Sequence, residues 1–283
     1  MTRSVDISPL SVLLSRIDAV ADGSAPRETV PCGFPSVDKM LGGGLRRGDL
    51  VVLGGDVGSG KSALALAFAL RASLQERRVA FLTTEMSSER VLERVIAIEA
   101  RARIDDLRQG VMDDATRASA GAVALGMREH LPIVDCLPGR GAAQLATVLD
   151  ELPELDLLVI DSIAGLAGGS RPPSEEHAAM VRGLKELAIA RDVVVLATAP
   201  LPELTPRADR RPTLDDFGAL GSVKQHADVV LALFRQYMYE PSRDIEGATE
   251  LLVRKNRNGP TGYVDLFFYA QWMRFEDMLD PDR

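Results

Sequence analysis

Short apolar runs alternate with longer segments that favour helices along most of this chain. The runs before residue 200 have the length of buried strands and comprise residues 50–53, 78–84, 132–135, 155–161 and 193–198. The segments between them have few helix breakers and predict helices at residues 63–74, 88–102, 113–129, 141–152 and 175–191. Alternation of this kind is typical of an α/β fold with a parallel sheet and right-handed connections.

The chain after residue 200 has a different pattern. Residues 228–234, 249–254 and 263–269 predict three strands with no long helix between them. Strands joined by short connections pair antiparallel. We therefore expect a mostly parallel central sheet, flanked by helices, with antiparallel strands at its C-terminal end. Residues 199–213, which carry four prolines and three arginines, predict a mobile loop.

An amphipathic helix is predicted near the N-terminus, where apolar residues recur at helical spacing over residues 10–20. A break that contains glycine and proline follows at residues 22–26. We therefore divide the chain into an N-terminal helix with its tether, residues 1–26, and one large domain, residues 27–283. The apolar stripe must be buried either in its own domain or on a neighbouring subunit, and the pattern leaves both alternatives open.

A glycine-rich turn joins the first apolar run to the first helix and has the spacing Gly-x4-Gly-Lys-Ser. This pattern is a phosphate-binding loop, in which glycines let backbone N–H groups curl around phosphate oxygens. The lysine supplies a charge for the β- and γ-phosphates, and the serine hydroxyl binds Mg²⁺. The predicted nucleotide-binding residues are Gly55, Asp56, Val57, Gly58, Ser59, Gly60, Lys61 and Ser62.

Two acidic residues follow buried strands that lie in the same predicted sheet. Because parallel strands end at one edge, Glu85 and Asp161 are expected to face the phosphate loop. Asp161, together with Ser62, suits the binding of Mg²⁺ beside ATP. Glu85 suits the base that deprotonates the attacking water. Its alternative is a helix-capping acid, since residues 87–89 begin a helix.

Composition restricts the possible functions further. The chain has 283 residues and a net charge of −8, which argues against a protein that coats duplex DNA with its outer surface. A narrow basic channel inside an assembly remains compatible with this charge, because local charge counts more than the sum. The two cysteines lack CxxC spacing and indicate reduced thiols in a cytoplasmic protein. The apolar runs are too short for a membrane span.

A basic cluster, Arg-Lys-Asn-Arg-Asn-Gly-Pro-Thr-Gly, occupies residues 254–262 at a predicted hairpin tip. One interpretation is a charged turn that faces solvent. The other is an arginine finger that one subunit offers to the ATP of another, because neutralising charge at the γ-phosphate accelerates hydrolysis strongly.

These segments together resemble the C-terminal, RecA-like motor domain of DnaB-family replicative helicases over about residues 10–275. The segments that carry the resemblance are residues 33–41, the phosphate loop, and residues 84–87, 159–162 and 255–262. The resemblance implies a RecA-like P-loop ATPase in a hexameric ring, with the N-terminal helix packed on the adjacent subunit. It implies that Lys61 and Glu85 are catalytic and that Arg94 is an arginine on the phosphate side. Lys255 and Arg257 would act in trans.

The chain also departs from this family. Pro200 stands where the family has a glutamine that senses the γ-phosphate, and Glu203 stands where a basic residue follows. Residues 218–222 read Gly-Ala-Leu-Gly-Ser, whereas the DNA-contacting loop of the family reads Arg-Glu-Ser-Gly-Ser. The candidate DNA contacts that remain are Gly221, Ser222, Arg207, Arg210 and Arg211. We expect the chain to begin at the linker helix of the family, without its N-terminal domain.

Two functions follow from these features. The first is an ATP- and Mg²⁺-dependent motor, a DNA helicase or translocase that acts on single-stranded DNA as a homo-hexameric ring. The second is an ATP-dependent switch or assembly factor that uses the same ring without unwinding DNA. The resemblance of the whole chain favours the first function, and the changes at Pro200, Glu203 and residues 218–220 favour the second. Both would act in the cytoplasm, without a membrane partner.

Overall fold

A nine-stranded sheet forms the centre of the computed structural model, which describes residues 9–25, 28–137, 142–152, 154–166, 172–201 and 207–278. The strands are β1 (Thr29–Val30), β2 (Leu45–Arg46), β3 (Leu50–Gly55), β4 (Val79–Thr83), β5 (Ile133–Cys136), β6 (Leu157–Asp161), β7 (Val194–Pro200), β8 (Val229–Phe234), β9 (Ala248–Asn256), β10 (Gly262–Tyr269) and β11 (Arg274–Asp277). The helices are α1 (Pro9–Ala21), α2 (Pro35–Met40), α3 (Lys61–Leu74), α4 (Ser88–Ala100), α5 (Ile104–Gln109), α6 (Asp114–Gly126), α7 (Ala142–Glu151), α8 (Pro173–Arg191) and α9 (Ser222–His226).

The strand order of the sheet is β11-β10-β9-β8-β3-β7-β6-β4-β5. All pairs from β8 to β5 are parallel, and the pairs among β8, β9, β10 and β11 are antiparallel. The predicted α/β class is therefore confirmed, including the antiparallel strands at the C-terminal end. The short strands β1 and β2 form a separate two-stranded sheet, which the sequence pattern does not predict.

Helices cover both faces of the central strands, so these strands are buried along their whole length. On one face, the side chains of β3 that include Leu53 pack with those of α3, such as Phe68. On the other face, Val52 lies in a second cluster together with Leu184 of α8. Since β3 occupies the middle of the sheet, the loop that follows it is held between two cores.

Some predicted boundaries change in the structure. The helix predicted over residues 88–102 ends at Ala100, because Arg101 adopts a left-handed conformation with φ 52°, and α5 follows as a separate helix. The helix predicted over residues 113–129 is α6, which Asp113 caps by accepting a hydrogen bond from the backbone N–H of Thr116. The strand β11 was not predicted from the sequence, and it pairs with β10 after a short turn.

The apolar stripe of α1 is exposed. Leu10 is 70% exposed and Ile17 is 53% exposed, and none of the residues of this helix is buried. The described residues of the same chain therefore do not cover the stripe. Among them, the alternative in which the stripe is buried in its own domain is not observed. Residues 1–8 and 26–27, at the two ends of this segment, lie outside the described residues.

No helix in the described ranges combines the length and the apolar character that a membrane span requires.

The close packing of Phe217 against Gly54 of β3 leads to a prediction about stability. A Cβ atom at Gly54 would lie 2.4 Å from Cε1 of Phe217 and 3.2 Å from Cδ2 of Leu201. Phe217 is itself buried, so the ring has little room to move. Gly54→Ala should therefore lower the free energy of unfolding by about 1–3 kcal/mol, measured by urea denaturation.

Gly183→Ala is the matched control, because no atom lies within 4 Å of its added Cβ and the residue is inside α8. This change should leave stability unchanged or raise it by up to about 1 kcal/mol. Equal stability of the two variants would contradict the packing argument.

Candidate nucleotide-binding site

The phosphate loop connects the buried strand β3 to the buried helix α3. Gly58 and Gly60 have φ angles of 78° and 102°, a conformation that glycine adopts without steric cost. At Gly55, an added Cβ would lie 2.6 Å from the hydroxyl of Ser59. The glycines of the predicted motif are therefore required by the backbone at these three positions.

Lys61 folds back over this loop. Its Nζ donates to the backbone oxygens of Gly55 at 2.9 Å and Asp56 at 2.8 Å. Burial lowers the pKa of the Lys61 ammonium, while the charges of nearby acids, Asp161 first among them, oppose this shift. A partly desolvated ammonium inside a loop of backbone N–H groups favours an anionic ligand such as a phosphate.

Asp161 lies at the end of β6 and is 1% exposed. Its Oδ1 accepts hydrogen bonds from Ser62 at 3.0 Å and from Thr198 at 2.6 Å. Its Oδ2 is buried and has no hydrogen-bond partner among the described residues. Burial raises the pKa of this carboxyl group, and the two hydroxyl groups oppose the shift. The free oxygen beside a serine hydroxyl fits a cation that prefers oxygen ligands.

The set of donors fits Mg²⁺ better than a metal held by protein ligands alone. The described residues contain no group of three or more histidine, cysteine, aspartate or glutamate side chains that would hold a metal. Mg²⁺ commonly binds through one or two carboxylates, keeps several waters and uses phosphate oxygens for the rest. The residues that would hold it are Ser62 and Asp161, as the sequence predicts.

Glu85 follows β4 and faces the same cleft. Its Oε1 accepts a hydrogen bond of 2.6 Å from the hydroxyl of Ser162. The N-cap of α4 is Ser87, whose side chain accepts from the backbone N–H of Arg90 at 3.4 Å. Glu85 is therefore not the cap of this helix, and Ser162 fixes one of its oxygens at the mouth of the cleft.

One cleft of about 570 Å³ brings these groups together. Its lining includes Gly58, Gly60, Lys61, Ser62, Glu85, Arg94, Asp161, Thr198 and Pro200. Arg94 reaches it from α4, and burial lowers the pKa of its guanidinium while the charge of Asp161 opposes the shift. The cleft thus combines two cationic side chains, Lys61 and Arg94, with two acidic ones, Glu85 and Asp161.

The sequence does not predict two further residues of this cleft, Arg235 and Phe268. Arg235 directly follows β8 and is 9% exposed, and its Cζ lies 4.7 Å from the centre of the Phe268 ring. Its Nε has no hydrogen-bond partner in the described parts of the chain, and burial lowers its pKa. The sequence carried one signal for Arg235, namely a charged residue directly after an apolar strand, β8, that pairs with β3.

The predicted finger residues, Lys255 and Arg257, lie near the beginning of β3 and β8, whereas the phosphate loop follows the end of β3. Asn256 pairs with Val229 at the start of β8, and Val229 pairs with Val51 at the start of β3. Lys255 donates to the backbone oxygens of Lys224 and Ala227, and Arg257 forms an ion pair of 3.0 Å with Asp228. Neither Lys255 nor Arg257 lines the cleft of its own chain, and their action in trans stays a prediction.

The candidate DNA-binding residues are only partly available. Arg207 makes a bidentate contact with Asp216, and Arg211 makes one with Glu250. Arg210 is exposed, and its guanidinium lies 5.1 Å from the centre of the Tyr239 ring.

The second candidate segment is the loop at residues 218–221. All four of its residues have positive φ angles, with 75° at Gly221. Ser222 is buried, and its hydroxyl donates to the backbone oxygen of Ala178 at 3.0 Å. Pro200 lines the nucleotide cleft, whereas Glu203 lies outside the described residues.

Comparisons with known proteins agree with this geometry. Residues 29–277 match the family described as DnaB-like helicase C terminal domain. The chain is 30% identical over 278 residues to the replicative DNA helicase DnaB of Leifsonia xyli subsp. xyli, covering 95% of this chain and 60% of that protein. It is 28% identical to the replicative DNA helicase DnaC of Bacillus subtilis, covering 88% of this chain and 56% of that protein. The chain therefore spans less than two thirds of the length of these relatives.

Solved structures show the same fold. One solved ATPase domain superposes with a TM-score of 0.86 at 23% identity, covering 96% of this chain and 99% of that domain. A DnaB-like replicative helicase, described with its interactions with primase, has a TM-score of 0.83 at 22% identity, covering 95% of this chain and 66% of that one. The KaiC-like protein PH0186 of Pyrococcus horikoshii has a TM-score of 0.61 at 17% identity, covering 89% of this chain and 99% of that protein. The predicted RecA-like fold is confirmed.

Proposed function

The chain belongs to the DnaB-like helicase C-terminal domain family, and we propose that it is the ATP-hydrolysing motor of a DNA helicase or translocase that acts on single-stranded DNA. Its homologues include replicative DNA helicases. The observation that carries the proposal is the free oxygen of Asp161 beside Ser62, in the same cleft as Lys61. This arrangement suits a magnesium–nucleoside triphosphate complex.

The roles of the cleft residues follow from their positions. Lys61 binds the β- and γ-phosphates once it exchanges its contacts with the loop for phosphate oxygens. Ser62 and Asp161 would hold Mg²⁺, which would supply charge neutralisation to the phosphates when bound. Glu85, held by Ser162, orients a water molecule and accepts its proton. Arg94 stabilises charge on the phosphate side of the cleft.

Assembly into a ring completes the site. Lys255 and Arg257 lie near the beginning of β3, away from their own phosphate loop at its end. They therefore act on the nucleotide of an adjacent copy. The exposed stripe of α1 packs on a neighbouring subunit and makes residues 1–26 a linking segment beside the domain of residues 27–283. By analogy with the family, the assembly is a homo-hexamer.

A second function, an ATP-dependent switch without unwinding, has specific support. Pro200 has neither the amide side chain of the family residue nor a backbone N–H, and Arg207 and Arg211 are bound to carboxylates. Arg210 and the backbone amides of residues 218–220 remain for contacts with phosphates of DNA, since the N–H of Gly221 donates to the oxygen of Gly218. The two functions therefore differ in whether DNA changes the rate of hydrolysis.

ATP hydrolysis with and without single-stranded DNA tests the proposal. We expect Mg²⁺-dependent hydrolysis that single-stranded DNA stimulates. Lys61→Ala should abolish hydrolysis and most ATP binding, because no other basic side chain of the loop replaces its charge. Glu85→Gln should bind ATP but hydrolyse it at least ~100-fold more slowly, as expected for the loss of a general base. Glu89→Gln, an exposed acid on α4, is the control and should keep normal hydrolysis.

The outcomes separate the proposals. Hydrolysis that DNA does not change, in a protein that still assembles, would favour the switch over the motor. Normal turnover of Lys61→Ala would contradict the assignment of the phosphate loop. Normal turnover of Glu85→Gln would leave Glu85 without a catalytic role.

The nucleobase is proposed to lie at Arg235. The guanidinium of Arg235 rests on Phe268 and lacks a carboxylate partner among the described residues, so a ring can stack on it beside the phosphate loop. Arg235→Leu should weaken ATP binding by about 10-fold, the magnitude expected for one stacking contact. Binding of inorganic tripolyphosphate, which has no base, should not change.

Calorimetric titration with the two ligands measures this difference. Arg78→Leu should alter neither affinity, because Arg78 is an exposed residue that precedes β4, whereas the cleft lies beyond the other end of that strand. Equal loss of ATP and tripolyphosphate binding in Arg235→Leu would show that Arg235 supports the loop rather than the base.

The finger assignment is tested by mixing variants. Arg257→Ala should lower kcat strongly but leave ATP affinity nearly unchanged, because a finger acts on the charge of the transition state. Mixtures of Arg257→Ala with Lys61→Ala should regain part of the activity, since some interfaces then combine an intact loop with an intact finger. The rate of ATP hydrolysis across mixing ratios measures this recovery.

Arg78→Ala is the matched control, because Arg78 is 53% exposed and Arg257 is 52% exposed. This variant should hydrolyse ATP normally. A wild-type rate in an assembled Arg257→Ala protein would return the hairpin to the role of a solvated basic turn.

A further inference from the structure

An irregularity in β9 determines where the finger residues point. Lys255 pairs with Val230 of β8, whereas Val253 pairs with the next residue, Leu231. Arg254 is therefore an extra residue, and a bulge of this kind shifts the side chains that follow to the other face of the sheet. Val253 and Leu231 share one core cluster, while Val230 belongs to the other.

The bulge brings Arg257 to a buried carboxylate. Asp228, which precedes β8, is 3% exposed in its side chain. Its Oδ1 lies 3.0 Å from Nε of Arg257, and its Oδ2 accepts from Nζ of Lys185 at 2.6 Å. The backbone N–H of Arg257 also donates to the backbone oxygen of Asp228 at 2.9 Å. Arg257 is thus held to Asp228 at two points, once by its guanidinium and once by its backbone N–H.

The end of α9 completes the support. Lys255 donates to the backbone oxygens of Lys224 and Ala227, and Nη2 of Arg257 lies 3.4 Å from the oxygen of Gln225. These contacts occupy the side of the hairpin that faces its own chain. Arg257 remains 52% exposed, so the outer edge of its guanidinium is free to meet another molecule.

We propose that Asp228 is a positioning residue for hydrolysis, which holds Arg257 in the orientation that reaches the nucleotide of an adjacent copy. This inference rests on the proposed role of Arg257 in trans. A long side chain at a hairpin tip has many rotamers, and a buried carboxylate at its Nε selects among them. Without this carboxylate, the guanidinium points away from the transition state for most of the time.

Asp228 also contacts the strand that carries the phosphate loop, and a test must separate the effect of this contact from the effect on Arg257. Its Oδ2 accepts from the backbone N–H of Leu50 at 2.9 Å, at the start of the strand that carries the phosphate loop. A change at Asp228 can therefore act on the loop of its own chain or on the finger offered to the next one. A donor subunit whose own loop is already inactive distinguishes these routes.

The experiment extends the mixing of subunits. Arg257→Ala serves as the recipient, because its loop is intact and it needs a finger from its neighbour. The donors carry Lys61→Ala alone, Lys61→Ala with Asp228→Asn, or Lys61→Ala with Asp215→Asn. Asp215 is the matched control, because it is an exposed acid, 82% exposed, that pairs with Lys224 of α9.

The donor with Asp228→Asn should restore about 10-fold less ATP hydrolysis than the donor with Lys61→Ala alone, since a misplaced group loses rate at this scale. The Asp215→Asn donor should restore as much as the parent donor. KM for ATP should be the same in all mixtures, because the recipient supplies the binding loop.

Each outcome decides a separate point. Equal recovery with the Asp228→Asn donor and the parent donor would overturn the positioning role and leave the proposed function intact. No recovery with the parent donor would overturn the finger in trans, and the role of Asp228 with it. Light scattering first confirms that every donor assembles.

A second donor covers the case in which Asp228→Asn does not assemble. Adding Lys185→Met removes the ammonium that would otherwise lose its carboxylate partner, and replacing both members of a buried pair is better tolerated than removing one. This donor enters the same mixtures, with the same expected loss and the same contradicting result.

Discussion

The carboxylate of Asp161 lies almost completely buried at the end of an apolar strand, where a charge is costly unless neighbouring groups compensate it. Two hydroxyl groups supply part of that compensation, from Ser62 at the start of α3 and from Thr198 on β7. The charge of Arg94 on α4 adds to it. Three elements must therefore converge on one point, and the parallel order of β3, β7, β6 and β4 brings their ends together.

The middle strand separates the two halves of the proposed chemistry. β3 begins at Leu50, whose N–H donates to Asp228, and ends at Gly55, where the phosphate loop starts. Five steps of about 3.3 Å place these points roughly 16 Å apart. An arginine side chain cannot cover this distance and still stay bound at Asp228. This distance supports the proposal that a finger on this hairpin would serve another copy.

The cleft could be predicted from the sequence to the extent that its chemistry is local. The phosphate loop and the acids Glu85 and Asp161 each stand directly after a recognisable buried strand. Thr198 and Asp228 could not be found this way, because their roles depend on partners that are distant in sequence, whereas Arg235 directly follows β8 and carried the same kind of signal. The same limit explains why the sequence did not show that two arginines among the predicted DNA contacts are paired with carboxylates. Arg211 is neutralised by Glu250, 39 residues away, a pairing that a count of basic residues does not reveal.

Two of the positions that depart from the family pattern are Pro200 and the loop at residues 218–221. Pro200 ends β7 beside the phosphate loop, where it pairs with Gly55. The loop at residues 218–221 leads directly into α9, and the backbone oxygens at the end of α9 bind Lys255 and Arg257. Phe217, which directly precedes this loop, packs at Gly54 beside the phosphate loop, so the loop adjoins both ends of β3. A ligand at this loop would therefore act on two surfaces, the one that holds the proposed finger and the one that carries the phosphate loop.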